Sequence, residues 1–163
     1  MSYLQYNSSP LTKKSYLFGV RIVKMVKFIK CSPKEYGMIN QVFRSGTAIG
    51  ALVSESTYAQ SAADFINKLS VALKECNETL YWLNILKDTE YLNEQEFESI
   101  NKDCEELLAL LISSIKTTKQ NIEKKWRRES GSKLFTFHYS LIPYYYDREI
   151  FETDFLHKRG GLQ

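Results

Sequence analysis

The sequence predicts an all-α protein: an antiparallel up-down-up-down four-helix bundle with an aromatic C-terminal extension. Apolar residues recur at steps of three and four through residues 15–125, which is the spacing of one face of an α-helix. Helix-capping residues and short polar links divide this region into four stretches. Because a short link brings consecutive helices back alongside one another, we expect each helix to run antiparallel to the next.

We divide the chain into three parts. Residues 1–14 are polar, contain Ser8-Ser9-Pro10 and are predicted to form a flexible arm. Residues 15–125 are predicted to form the bundle, with helices near 15–30, 33–55, 59–88 and 94–124. The extension, residues 126–163, contains apolar residues at 135, 137, 139 and 141 that alternate with polar ones, and this indicates a strand. We expect that strand to pack on the bundle, to pair between subunits or to be disordered.

The first predicted helix is apolar on two sides. Its main stripe is Phe18, Ile22, Met25 and Ile29, and its opposite side carries Val20, Val23 and Phe28 among basic residues. A helix of this kind needs two partners, and a four-helix monomer readily supplies only one. The fourth predicted helix is apolar almost all round between Leu107 and Ile115. We therefore expect a homo-oligomer.

Glycines in the second predicted helix indicate close packing. The helix begins at Ser32-Pro33-Lys34-Glu35, a capping box, and its apolar seam is Ile39, Val42, Gly46, Ile49 and Val53. Gly46 and Gly50 each cost about 1 kcal/mol relative to Ala in a helix interior. We therefore expect the backbone of another helix to approach them closely.

Caps and stripes also delimit the last two helices. Thr57 and Ser61 are both possible starts of the third helix, and Asn93 with Glu96 starts the fourth. The apolar stripes are Phe65, Leu69, Ala72, Cys76, Leu80, Leu83 and Leu86 in the third helix and Phe97, Ile100, Cys104, Leu107, Leu111, Ile115 and Ile122 in the fourth.

Composition excludes several classes of protein. Hydrophobic residues make up 44% and charged residues 25% of the chain, which are globular values. No run of 18 uncharged apolar residues predicts a membrane span, and the N-terminus does not resemble a signal peptide, so we expect a cytoplasmic protein. Cys31, Cys76 and Cys104 are odd in number and widely spaced. This favours free thiols in or near a helical core over disulfides or a zinc site.

Residues suited to catalysis do not cluster in the sequence. Both histidines, His138 and His157, lie in the extension, so no Ser-His-Asp or Cys-His arrangement is expected on the bundle. Glu75 and Glu78, three residues apart, are typical of a solvated helix face rather than of an acid/base pair. The spacing of Gly46 and Gly50 lacks the lysine of a phosphate-binding loop. We expect no enzymatic activity, no cofactor and no metal.

Positive charge is concentrated near the N-terminus. Residues 1–60 contain eight Lys/Arg and two Asp/Glu, whereas residues 61–125 contain eight and twelve. The candidate nucleic-acid-binding residues are Arg21, Lys24, Lys27, Lys30 and Arg44. They either bind RNA or DNA, form an ordinary solvated face, or pair with the acidic third and fourth helices. The competing function is an oligomeric scaffold that binds a protein through apolar patches.

Several stretches resemble a known family: residues 18–24, 41–51 and 59–75, Tyr81-Trp82-Leu83 and Thr89-Glu90-Tyr91-Leu92. In this order they are similar to the bacterial four-helix-bundle proteins encoded in intervening sequences of 23S rRNA genes, a family long labelled a ribosomal protein. The resemblance covers roughly residues 14–122. It extends to the accessory variability determinant of diversity-generating retroelements, which makes a reverse transcriptase a candidate protein partner.

The resemblance implies a bundle that assembles into a ring-like pentamer, associates with RNA or DNA and has no enzymatic activity. The sequence departs from the family pattern after Ile49-Gly50-Ala51, where Leu52 stands in place of the usual Asn. Any role of that Asn is lost, while Glu55 can retain the acidic position. The extension from Trp126 lies outside the resemblance, so the resemblance predicts nothing about it.

Overall fold

The computed structural model describes residues 9–29 and 36–129. These residues form four α-helices, numbered here in chain order: α1 Pro10–Phe28, α2 Tyr36–Ser56, α3 Ala62–Asp88 and α4 Glu94–Glu129. They contain no strand, and the strand predicted near residues 135–141 lies outside the described part of the chain. The all-α fold class is confirmed.

Contacts between the helices establish the up-down-up-down order for the first three. Gly46 of α2 lies against Ile22 of α1, and Gly50, one turn later, lies against the earlier Ser15. Between α2 and α3, the hydroxyls of Ser45 and Thr79 are 2.9 Å apart, and Lys68 Nζ lies 3.4 Å from a carboxylate oxygen of Glu55. In both pairs, residue numbers rise along one helix as they fall along its partner. Each pair is therefore antiparallel.

The fourth helix closes the bundle against both α3 and α1. Cys76 and Cys104 bring α3 and α4 together, and Lys87 Nζ lies 2.9 Å from Glu94 Oε1 near the link between these helices. On the other side, Lys14 of α1 pairs with Glu106 of α4 at 2.5 Å, and Arg21 pairs with Asp103. These contacts are again antiparallel, so every helix runs opposite to both of its neighbours.

Each helix contributes an apolar stripe to one core. The predicted seam of α2 is buried along its whole length, and the stripes of α3 and α4 are buried except for a few half-buried positions. The largest fully buried apolar side chains are Ile22, Val42, Ile49, Val53, Leu69, Leu83, Leu86, Leu107 and Leu111. Among the described residues, no buried side-chain nitrogen or oxygen lacks a hydrogen-bond partner. The helical periodicity of the sequence therefore identified the core.

The backbone approach predicted at the two glycines is present at Gly50, whereas Gly46 lies against the side chain of Ile22. A Cβ atom at Gly46 would lie 2.8 Å from Cγ1 of Ile22, closer than real Cβ contacts. At Gly50, a Cβ atom would lie 3.1 Å from the carbonyl oxygen of Ser15. A larger side chain at either position would push α1 and α2 apart. The helix-propensity cost of these glycines is therefore offset by the close packing that they allow.

The first helix begins earlier than predicted. We expected a flexible arm through residue 14, but α1 starts at Pro10, and Ser9 caps it by accepting a hydrogen bond from the amide of Thr12 at 3.1 Å. Pro10 stands at the first helical position, where its missing N–H costs nothing. The Ser-Pro pair was thus a helix start rather than part of an arm. The predicted cap of α2 at Ser32–Glu35 lies outside the described residues.

The link between α3 and α4 is closed by paired hydrogen bonds. The amide of Tyr91 donates to the carbonyl of Leu86 at 2.8 Å, and that of Glu90 donates to Lys87 at 2.9 Å, a Schellman arrangement. Glu90 adopts a left-handed conformation with φ of 63°, a position that usually holds glycine. Asn93 and Glu96 then exchange two side-chain-to-amide hydrogen bonds, which confirms the predicted start of α4.

The fourth helix ends later than predicted, at Glu129 rather than near residue 124. Contacts divide the chain between Lys124 and Lys125, so the last residues of α4 fall in a second unit. Within the described ranges, no helix is both long and apolar enough to span a membrane.

Candidate nucleic-acid interface

The predicted basic residues lie on two neighbouring helices. Arg21, Lys24 and Lys27 belong to α1, and Arg44 belongs to α2. Lys30 lies outside the described residues. The structure places these side chains in different surroundings, so their contributions to a charged surface differ.

Arg21 is held by α4. Its guanidinium pairs with the carboxylate of Asp103 and donates hydrogen bonds to the carbonyl of Ser99 at 3.0 Å and to the Ser99 hydroxyl at 2.7 Å. Arg21 thus forms the pairing with the acidic fourth helix that the sequence left as one of three alternatives. Arg21 therefore links α1 to α4, and Asp103 neutralises much of the Arg21 charge within the bundle.

Lys24 and Lys27 are exposed on the outer side of α1. Neither forms an ion pair with another of the described residues. Leu17 and Phe28 are also exposed on this helix, with 46% and 84% of their surface accessible. Lys24 lies seven residues after Leu17 and four before Phe28, which places all three on one face of the helix. The outer side of α1 thus combines two exposed cations with two large apolar side chains.

Arg44 is exposed on α2 and lies within electrostatic range of Glu75 on α3. Partial burial raises the pKa of Glu75, and the neighbouring Glu78 raises it further, whereas Lys74 and Arg44 lower it. The positive charge of Arg44 is therefore partly balanced by nearby carboxylates. Of the predicted basic residues that are described, Lys24 and Lys27 are the two whose charge is least compensated.

A second basic region was missed in the sequence. Residues 116–128 of α4 contain six Lys/Arg and one Glu, whereas residues 94–106 of the same helix contain six Asp/Glu and one Lys. Counting charge over the broad window 61–125 averaged the acidic and basic halves together. A window of roughly three to four helical turns separates the acidic residues from the basic ones.

The expectation that two helices are apolar on more than one side holds in part. Val20 and Val23 of α1 are half-buried, as are Leu108 and Ile112 of α4. Large apolar side chains that remain exposed are Tyr16, Leu17, Phe28, Tyr36, Phe43, Tyr58, Tyr81 and Trp126. These side chains occur on all four helices.

The two described cysteines are core thiols. Cys76 and Cys104 are fully buried, their Sγ atoms lie 3.6 Å apart, and Cys104 Sγ lies 3.7 Å from the carbonyl oxygen of Cys76. The hydrogen bond with Cys76, together with burial, raises the pKa of the Cys104 thiol far above its ordinary value. The thiol therefore stays protonated and unreactive while the bundle is folded. Cys31, His138 and His157 lie outside the described residues.

No group of three or more His, Cys, Asp or Glu side chains in residues 9–29 and 36–129 is arranged to hold a metal ion. At the position where the sequence departs from the family pattern, Leu52 is half-buried. The acidic Glu55 that follows forms an ion pair with Lys68 and so joins α2 to α3.

Comparison with known proteins relates this bundle to one family. A crystal structure of a protein of unknown function, from the S23 ribosomal protein family of Bacteroides thetaiotaomicron, is 54% identical in sequence. The similarity covers 65% of this chain and 98% of that chain, with a TM-score of 0.62. No curated protein matches significantly. The sequence model of one family matches residues 8–113, about two thirds of the chain. The chain therefore belongs to the 23S rRNA-intervening sequence protein family.

Proposed function

We propose that this protein is a non-enzymatic, homo-oligomeric accessory protein that binds RNA or DNA through exposed basic residues. The observation that carries the proposal is the exposed pair Lys24 and Lys27, which forms no ion pair with the described part of the chain. Family membership supports it, because members are described as proteins of a 23S rRNA intervening sequence. Arg44 adds a weaker, partly balanced positive charge.

The oligomer is part of the proposal. One subunit offers few phosphate contacts, whereas a ring presents the same lysines several times. Such repetition raises affinity by roughly 10²–10⁴ without any new type of contact. Exposed Phe43 of α2 and Tyr81 of α3 support assembly, since each leaves apolar surface in water that a second subunit can cover. The resemblance of the sequence to ring-forming relatives favours a pentamer.

We expect binding to depend on charge more than on base sequence. Each phosphate that a lysine neutralises releases counterions, so log K falls with log salt at a slope near −0.9 per contact on duplex DNA. Nothing in the described bundle resembles a recognition helix placed to read base edges. Unrelated duplexes of equal length should therefore bind with similar affinity.

A salt titration of binding tests the proposal. Fluorescence anisotropy of labelled duplex and single-stranded probes is measured with the parent protein and with Lys24→Glu/Lys27→Glu. The matched control is Lys102→Glu, because Lys102 is also exposed on a helix but lies in the acidic half of α4. The lysine pair variant should weaken binding and flatten the salt slope, and the control should do so much less. If the parent fails to bind any probe at low salt, the proposal is wrong.

The alternative is a scaffold that binds a protein partner, such as a reverse transcriptase, without binding nucleic acid. The exposed aromatic side chains Phe43 and Tyr81 favour this reading, because they leave apolar area uncovered on α2 and α3. The same titration separates the two functions. A scaffold would show no salt-dependent affinity for nucleic acid, either with the parent or with the two variants.

A further inference from the structure

The last part of α4 concentrates positive charge. Residues 116–129 contain Lys or Arg at 116, 119, 124, 125, 127 and 128, against two acids, Glu123 and Glu129. The side chains of residues 124–128 are all exposed. The family match ends at residue 113, so this region lies beyond the part that the chain shares with its family. Family membership therefore does not explain the cluster of basic residues at the end of α4.

An exposed tryptophan stands among these charges. Trp126 has 58% of its surface accessible and lies within Lys125-Trp126-Arg127-Arg128, which we call the KWRR segment. The other tryptophan is different, since Trp82 is half-buried and its indole N–H donates to Glu78 at 3.2 Å. Tryptophan is the largest side chain and is normally covered over most of its surface. Trp126 thus leaves more than half of a large aromatic side chain exposed.

Structural effects explain the positive charges of the KWRR segment only in part, and they do not explain the exposed indole ring of Trp126. Cations near a helix C-terminus interact favourably with the helix dipole. Against this, Lys125 and Arg128 are three residues apart and therefore adjacent on the helix, where like charges repel. An anionic ligand removes that repulsion. Neither structural effect involves an exposed indole.

We propose that the KWRR segment is a stacking site for single-stranded nucleic acid. This inference rests on the proposed nucleic-acid binding and specifies the form of nucleic acid and the residue that contacts its bases. On a helix, Lys125 and Arg128 project on one side of Trp126, about 100° and about 160° from it. A base that stacks on the indole then has two cations beside it for a flanking phosphate. Bases in a duplex stack on each other, so the ring selects unpaired ones.

A membrane surface is the other large anionic partner, and the sequence disfavours it. Helices that lie on membranes bury a continuous apolar face. Residues 116–128 contain only two apolar side chains, Ile122 and Trp126. A single aromatic ring between cations fits a nucleobase better than an acyl layer.

The test compares three probes with the full chain: an oligothymidylate of about 12 nucleotides, an abasic strand with the same phosphates, and a duplex of equal length. The parent should bind oligothymidylate more tightly than the abasic strand. Trp126→Ala should weaken oligothymidylate binding roughly 5- to 100-fold and leave abasic binding unchanged, and Trp126→Phe should retain most of the preference. Lys125→Gln/Arg128→Gln should weaken both single strands, with the salt slope reduced by about 0.7 for each phosphate that is no longer neutralised.

Intrinsic fluorescence gives a second readout that does not depend on affinity. In a Trp82→Phe background, emission reports on Trp126 alone. The free protein should show the long-wavelength emission of an exposed indole, and oligothymidylate but not the abasic strand should quench it. Emission typical of a buried indole, or emission that oligothymidylate leaves unchanged at saturation, overturns the proposal.

The outcomes separate this inference from the proposed function. If the parent binds no probe, nucleic-acid binding itself fails. If the parent binds oligothymidylate and abasic strands equally and Trp126→Ala behaves like the parent, while Lys24→Glu/Lys27→Glu weakens binding, the bundle binds nucleic acid and the stacking site is wrong. Binding to anionic phosphatidylserine vesicles in preference to oligothymidylate also overturns it.

Discussion

Replacing Gly46 by alanine probes the closest contact between α1 and α2. In most helix interiors this change is stabilising, by about 1 kcal/mol, because alanine restricts the unfolded chain and favours the helix. Here the new Cβ atom would lie 2.8, 3.0 and 3.1 Å from three carbon atoms of Ile22, while ordinary contacts begin near 3.4 Å. Ile22 is fully buried in the core, so a shift of its side chain would disturb neighbouring core side chains.

The magnitude follows from two opposing effects. Forcing an extra methyl group into a well-packed core typically costs about 1–3 kcal/mol. After the helix-propensity gain is subtracted, Gly46→Ala should lower the free energy of unfolding by about 1 kcal/mol. Gly19 is the matched control because a Cβ atom there would meet nothing within 4 Å. Gly19→Ala should therefore raise the free energy of unfolding by up to about 1 kcal/mol.

Urea unfolding followed by circular dichroism measures both variants at one fixed protein concentration, since assembly makes stability concentration-dependent. Ile22→Val adds a further check, because it removes one of the three carbon atoms in conflict. Ile22→Val should lower the free energy of unfolding less in the Gly46→Ala background than in the parent. A double-mutant cycle detects this difference. If Gly46→Ala stabilises the protein as much as Gly19→Ala does, the inferred close approach of α1 and α2 is wrong.

Four further predictions follow from named contacts. Asp103→Ala removes the ion pair with Arg21 and should lower the free energy of unfolding by about 0.5–1 kcal/mol, the range for partly exposed pairs, in urea unfolding. Glu90→Gly relieves the left-handed backbone and should raise the midpoint of urea unfolding, by about 1 kcal/mol in stability. Because folding raises the pKa of Glu75, the folded state holds that proton more tightly and stability falls as pH rises above the ordinary carboxyl range; Glu75→Gln should flatten this decline. Val23→Glu should dissociate the oligomer in size-exclusion chromatography with little loss of helical circular dichroism.

Local signals in the sequence predicted most of the fold. Ile39, Val42, Ile49 and Val53 are all buried because helical spacing determines which side chains share a face. The cap at Asn93 formed as expected for the same reason, since a capping box depends only on residues within one turn. The start of α1 was misplaced because Ser9-Pro10 has two meanings, a loop or a helix start, and neighbouring polar residues favoured the loop.

Long-range pairing was harder to predict. Arg21 contacts residues 78 and 82 positions later in the chain, and sequence spacing does not reveal which cations such contacts neutralise. Lys24 and Lys27 looked equivalent to Arg21 in the sequence and differ only because α4 lies on one side of α1. The basic end of α4 was visible in the sequence but was hidden by the choice of window.

Native mass spectrometry of the full chain, alone and with a short oligonucleotide, tests the central claim most directly. We expect no dominant monomer at micromolar concentration, a homo-oligomer with the pentamer favoured, and added mass equal to that of the bound oligonucleotide. We also expect Lys24→Glu/Lys27→Glu to keep the oligomer and to lose most of the added mass. A dominant 19.0 kDa species that takes up no oligonucleotide would contradict both assembly and nucleic-acid binding.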